Sequence, residues 1–200
     1  MTFLSSLGIA KRLFAVSAML SLAMAGVAVF AYFELSAVGS LADRTENVRV
    51  PQLQRMAALE LNVTRVSLQL RHSILSRTPQ ELAATLADVG EKRKLIEKTL
   101  SDYEASLFTP EGKQRFAKVS PLMAKFWEAG GANIKLIQDG QKAEAFAYLV
   151  DKTIPVRNEL LAVLNETVKF QEGALGKDLT DIKEEAEITL KLLICLVVAT

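Results

Sequence analysis

Apolar residues follow two patterns along the chain, an uninterrupted run near the N-terminus and a periodic spacing after it. Residues 13–33 contain no charged side chain in 21 positions. A helix of this length is about 30 Å long, close to the thickness of a bilayer's hydrocarbon core. Lys11 and Arg12 stand directly before the run and favour a cytoplasmic N-terminus. We predict a transmembrane helix at 13–33 after a cytoplasmic segment at 1–12, in preference to a signal peptide cleaved near Ala25.

From residue 34 to residue 187 the apolar side chains recur at intervals of three and four, which is typical of amphipathic helices. The first such helix is expected to end near Arg77. Pro51 falls inside it and should kink rather than end it, because the periodicity resumes on its far side. The predicted core stripe of this helix consists of Leu59, Val63, Val66, Leu70 and Ile74.

Two helix starts are marked by a threonine followed by a proline, at Thr78-Pro79-Gln80-Glu81 and at Thr109-Pro110-Glu111. The threonine suits the N-cap, the proline the first helical position, and the glutamate the first turn. We expect the second helix to reach about Phe108 and the third to pass Gly130-Gly131 and end near Gln138. A short piece at 141–149 should precede a fourth helix, which starts near Ile154-Pro155, has no break before Leu192 and is expected to continue into the membrane.

No strand-like alternation competes with these helices. The fold class expected is therefore all-α, a membrane-anchored antiparallel up-down-up-down four-helix bundle at 34–187. Because the first and last helices both run toward apolar segments, both membrane ends should lie on one side of the bundle. Residues 188–200 would begin a second transmembrane helix. Its nine residues from Leu192 to Thr200 are too few to span a bilayer, so the polypeptide is expected to continue.

Charge and motif content exclude several classes of function. The formal net charge is +1, and acidic and basic residues are interspersed. The sequence therefore has no concentration of positive charge that would attract nucleic acid. Cys195 is the single cysteine and can form no intrachain disulfide. There is no glycine-rich phosphate loop, nucleophile elbow or zinc-ligand cluster, and His72 is the only histidine. We expect no catalytic residue, no metal, no cofactor and no enzyme activity.

Four stretches carry a resemblance to a known family, and they lie in the family's order. They are Lys11-Arg12, Val50-Pro51-Gln52-Leu53, Thr64-Arg65-Val66-Ser67-Leu68 and Gly140-Gln141-Lys142-Ala143-Glu144-Ala145. The chain resembles the N-terminal region of methyl-accepting chemotaxis proteins with a four-helix-bundle sensor domain. The resemblance implies a homodimer in the inner membrane with its sensor domain in the periplasm. A small-molecule ligand or a ligand-loaded binding protein would act at the membrane-distal end, and a signalling hairpin would follow Thr200.

The resemblance also implies a ligand site. In the aspartate-type receptors, arginines on the first helix of both subunits hold the ligand carboxylates, helped by the start of the last helix. Arg65 stands in a matching Thr-Arg-x-x-Leu context and takes over that role. The next two arginine positions of the family fall on Leu70 and Ile74, and Arg71 is one position out of register. Thr153 matches the threonine of the last helix.

A second pattern on the first bundle helix is independent of the resemblance. Leu61, Leu68 and Leu75 recur every seven residues, on the face opposite the core stripe, and predict a dimer contact. Arg65 and His72 lie on that face, and with Gln69 they would bind a small anion. The alternative is three scattered surface leucines beside solvated charges. Trp127 with Phe126 and Phe116 is expected to fill the core rather than to form a ligand cage.

The leading hypothesis is the ligand-sensing input module of a transmembrane chemoreceptor, which binds a small organic acid at its dimer interface. A slight sliding or rotation of the last helix would carry the signal. The same sensor could serve a membrane histidine kinase or a cyclic-dinucleotide enzyme. A structural helical bundle without a ligand is the third possibility.

Overall fold

The computed structural model describes residues 8–199, and this stretch is almost entirely helical, without a strand. Residues 1–7 of the predicted cytoplasmic segment and Thr200 lie outside the described residues. The α-helices are α1 Ile9–Arg44, α2 Val50–Leu75, α3 Pro79–Ala105, α4 Pro110–Phe116, α5 Val119–Gln138, α6 Lys142–Tyr148 and α7 Ile154–Ala199. Two π-helical segments, Thr45–Arg49 and Leu149–Thr153, join α1 to α2 and α6 to α7.

The chain divides into two compact units, which are described separately. The first contains the described parts of 1–47 and 175–200. Within it, α1 has no buried residue. Among the described residues, the helix that includes α1 is long and apolar enough to cross a membrane, by length and composition. The second unit, Val48–Ala174, is the helical bundle.

The bundle core is built from one face of each helix. The stripe predicted on α2, from Leu59 to Ile74, is confirmed, because each of its five residues is at most 5% exposed. Apolar side chains from the other helices complete the core. The largest fully buried side chains are Met56, Leu59, Leu70, Ile96, Tyr103, Phe126, Leu149, Leu160 and Leu164. The fold is therefore the all-α four-helix bundle that the periodicity predicts.

Both predicted helix starts are confirmed by their caps. Thr78 is extended and its Oγ1 accepts a hydrogen bond from the backbone N–H of Glu81, at 3.1 Å. Thr109 caps α4 in the same way, with Gly112 as the donor at 3.1 Å. At the other end of α5 the helix stops at Gln138, as expected, and Gly140 takes the left-handed conformation with φ of 77°.

A proline explains the position of each π-helical segment, where the helix is wider than an α-helix. Pro51 and Pro155 each lack an N–H, and their rings press on the carbonyl four residues earlier. Those carbonyls belong to Asn47 and Asp151, the central residues of the two π-helical segments. The extra width of a π turn relieves the clash without ending the helix. The helix accordingly continues through Pro51, as predicted.

The third helix was wrongly predicted as one piece. It is divided into α4 and α5 at residues 117–118. Pro121 supplies the reason, because its ring excludes a regular helical carbonyl at Ala117, four residues earlier. Two other bounds differ slightly: α2 ends at Leu75 rather than Arg77, and α3 ends at Ala105 rather than Phe108. The fourth helix begins at Ile154, as predicted, and the π turn joins it to α6.

Candidate functional site

A shallow groove on the bundle surface brings together three of the residues predicted to bind ligand. Arg65, Gln69 and His72 lie on one face of α2, with Leu68 between them, and all four line the groove. Asp88 and Lys92 of α3 form the opposite wall, and the groove has a volume of about 360 Å³. The spacing of three and four residues along α2 places these side chains on neighbouring turns.

Arg65 contributes the uncompensated charge of this groove. The Asp88 carboxylate accepts a 2.8 Å hydrogen bond from Gln69 Nε2 and lies 3.4 Å from Lys92 Nζ. His72 Nε2 lies 3.2 Å from Glu81 Oε1. Arg65 has no hydrogen bond or ion pair to any other residue that the structure describes. A small anion could therefore bind Arg65 without displacing a carboxylate of the chain.

Glu81 links the groove to the turn that follows α2. Its Oε2 accepts a 2.8 Å hydrogen bond from the backbone N–H of Arg77. This bond, and to a lesser degree the contact with His72, lowers the pKa of Glu81 below its ordinary value. Because the Arg77 N–H fixes one carboxylate oxygen of Glu81, the other oxygen orients the imidazole of His72 at the edge of the groove.

The three leucines of the predicted dimer contact are all exposed. Leu61 is 50%, Leu68 56% and Leu75 67% exposed. In the single chain they therefore form an uncovered apolar row along α2. The dimer contact itself stays a prediction.

Arg71 and Thr153 do not join this groove. Arg71 lies near Arg157 of α7, and burial together with the like charge of Arg71 lowers the pKa of Arg157. Arg157 donates hydrogen bonds to Ser67 Oγ at 2.9 Å and to Asn158 Oδ1 at 2.8 Å. Thr153 is fully buried in the π turn.

Arg157 is a candidate that the sequence reasoning missed. It follows Thr153 by four residues at the start of α7, where the resemblance implies ligand contacts. No carboxylate of the described chain pairs with Arg71 or Arg157. Two neighbouring guanidiniums without an acid suit a bound anion.

A second cavity lies between α2, α3 and α5. Trp127 lines it together with Arg93 and three helix glycines, and its volume is about 220 Å³. Phe126 and Phe116 are core residues, at 0% and 4% exposed, as expected. Trp127 packs against this core but stays half-buried, with part of its surface on the cavity. Among the described residues there is no cluster of three or more residues able to hold a metal ion.

Fold and surface together define an all-α four-helix bundle with basic side chains beside an exposed apolar row. The family model described as "Four helix bundle sensory module for signal transduction" matches residues 6–183. The chain belongs to this family, and the resemblance to the chemoreceptor sensor domain is confirmed. No curated protein matches the chain significantly.

Proposed function

We propose that this sensory module is the extracytoplasmic input domain of a transmembrane chemoreceptor. Its family is a sensory module for signal transduction. The apolar helix near the N-terminus, preceded by Lys11 and Arg12, supports anchoring in the inner membrane with the bundle in the periplasm.

The ligand we propose is a small organic acid held between two copies of the chain. One observation carries this: Leu68 lies three residues from Arg65 on one side and three from Arg71 on the other. At 100° per residue the two arginines stand about 60° to either side of the leucine row. A two-fold contact through the row would bring Arg65 of one subunit toward Arg71 of the other. Each of two equivalent sites would then hold guanidiniums from both subunits.

Signalling would use the contact between the start of the last helix and α2. Arg157 of α7 donates to Ser67 of α2, and it lies close to Arg71. An anion bound beside Arg71 would relieve the repulsion between these two cations and favour one position of α7 over another. A ligand shifts such an equilibrium only by its differential affinity for the two positions.

Calorimetry on the full chain in detergent micelles tests the proposal, with succinate, malate and citrate as probes. We expect one of these acids to bind and Arg65→Ala to weaken it about ten- to a hundred-fold, since a charge-assisted bond contributes roughly 1.5–3 kcal/mol. Lys94→Ala is the control, because Lys94 is an exposed cation outside the groove.

Two results would contradict the proposal. One is equal affinity of the Arg65→Ala variant and the unchanged chain for the acid that binds. The other is cytoplasmic activity of a reporter fused after Glu187, which would place the bundle inside the cell.

A further inference from the structure

The cavity beside Trp127 shares no residue with the Arg65 groove. Its floor is made of buried apolar side chains, among them Val66, Leu70 and Phe126. Its rim is made of exposed residues of α3 and α5, among them Gly90 and Gly131. A ligand could therefore enter from the surface and place its apolar part against the core.

The size of the cavity limits what it can hold. At about 220 Å³ it is smaller than the sites that bind drug-sized molecules, which occupy roughly 300–1,000 Å³. An apolar protein cavity of about 150 Å³ is known to hold benzene. The cavity here fits a single six-membered ring with one small substituent.

The polar groups of the cavity indicate the substituent. Arg93 is the charged residue of its lining, and its guanidinium lies 5.1 Å from the centre of the Trp127 ring. Glu97 occupies only Nε of Arg93, at 2.8 Å, and the two terminal nitrogens have no acceptor among the described residues. Trp127 Nε1 is also buried without an acceptor there. A carboxylate would satisfy the arginine fork, and an indole N–H could donate to the same group.

Three helix glycines keep the cavity open. Gly90 lies within α3, and Gly130 and Gly131 lie within α5, where glycine is a poor helix former. A Cβ atom at Gly90 or Gly131 would meet nothing within 4 Å, and at Gly130 it would only touch Leu70 at 3.7 Å. Larger residues would therefore fit the backbone, and what they would occupy is the cavity and its mouth.

We propose that this cavity is a second ligand site, formed within one subunit, for a single-ring aromatic carboxylate. The ring would lie against Trp127 and the apolar floor, and the carboxylate would bind Arg93. Residues of α2 and α3 line both this cavity and the Arg65 groove. A ligand in the cavity would therefore contact the two helices that form the groove.

Trp127 is the only tryptophan, so its fluorescence reports on the cavity directly. The experiment titrates the full chain in detergent micelles with benzoate, and with benzamide as the neutral analogue. We expect a saturable change in emission with benzoate. Gly131→Leu should weaken benzoate binding at least ten-fold while the melting temperature stays the same or rises. Arg93→Gln should weaken benzoate at least ten-fold and leave benzamide unchanged.

Gly173→Leu is the matched control, because Gly173 is also a helix glycine without neighbours but lies outside the cavity. It should keep the affinity for benzoate. Arg65→Ala should keep it too, which separates this site from the groove of the proposed function. The absence of a saturable change with benzoate would overturn the inference. An unaltered affinity in a folded Gly131→Leu chain would do the same.

Discussion

Arg157 of α7 donates a 2.9 Å hydrogen bond from Nη1 to Oγ of Ser67 in α2. Ser67 is 4% exposed, so the bond reaches into the contact between the first and last helices of the bundle. Arg157 also carries a charge that burial and Arg71 both disfavour, as its lowered pKa shows. The bond therefore anchors a partly buried cation at Ser67, one helical turn from Arg71, where a small anion could bind to both arginines.

Loss of this hydrogen bond should destabilise the bundle slightly. We expect Ser67→Ala to lower the free energy of unfolding by about 1 kcal/mol, because the guanidinium is partly solvated and keeps its bonds to Asn158. Urea denaturation of the full chain in micelles measures this. Ser101→Ala, at an exposed position of α3, should change nothing. A Ser67→Ala chain as stable as the parent would show that the bond does not contribute.

Tyr103 and Gln171 form a buried polar contact in the core. Gln171 Nε2 donates to Tyr103 Oη at 2.6 Å, and both residues are at most 1% exposed. Tyr103→Phe would leave the amide donor without an acceptor, at a cost of about 1–3 kcal/mol in the free energy of unfolding. Tyr148→Phe is the control, since no hydrogen bond of the Tyr148 hydroxyl occurs among the described residues. Equal stability of the two variants would contradict the prediction.

The same tyrosine should make stability depend on alkaline pH. Burial raises the pKa of Tyr103 above its ordinary value of 10.0, so the folded chain keeps the phenol proton longer than the unfolded chain does. The stability is complete below pH 10 and is lost as pH rises through the raised pKa. Above pH 10 the unfolding free energy should fall more steeply with pH for the parent than for Tyr103→Phe. Parallel pH profiles of the two chains would exclude this effect.

Glu81 should make the stability depend on pH in the opposite direction, with a loss of stability in acid. Its pKa is lowered from 4.5, first by the backbone N–H of Arg77 and then by His72. The stability it contributes is present above pH 4.5 and is lost as pH falls through the lowered pKa. Glu81→Gln should lower the melting temperature at neutral pH and weaken its decrease in acid. Glu91→Gln, at an exposed position of the same helix, should leave the acid profile as it is.

How far the sequence predicts the molecule depends on the range of each interaction. The stripe from Leu59 to Ile74 and the cap at Thr78 are local, so spacing and residue type predict them correctly. The break at residues 117–118 is local too, but it depends on the effect of Pro121 on a carbonyl four residues earlier. The approach of Arg157 to Arg71 depends on packing between helices far apart in sequence, and no periodicity reveals it.

The cavity beside Trp127 shows the same limit. Aromatic residues at helical spacing are typical of a core, and two of the three do fill it. Trp127 differs because glycines from two separate helices leave space next to it. A glycine inside a helix lowers helix stability, so Gly90, Gly130 and Gly131 needed another reason to be there. These glycines were the feature of the sequence that could have indicated the cavity.

The central claim is that two copies of the chain meet along Leu61, Leu68 and Leu75 and present Arg65 at a shared ligand site. Disulfide cross-linking of the Leu68→Cys chain in membranes, with Cys195→Ser in the background, tests it most directly. Leu95→Cys is the control, because Leu95 is 47% exposed on α3, away from the row. We predict that Leu68→Cys forms a covalent dimer under mild oxidation and that Leu95→Cys does not. A Leu68→Cys chain that stays monomeric, or that cross-links no better than Leu95→Cys, would contradict the account.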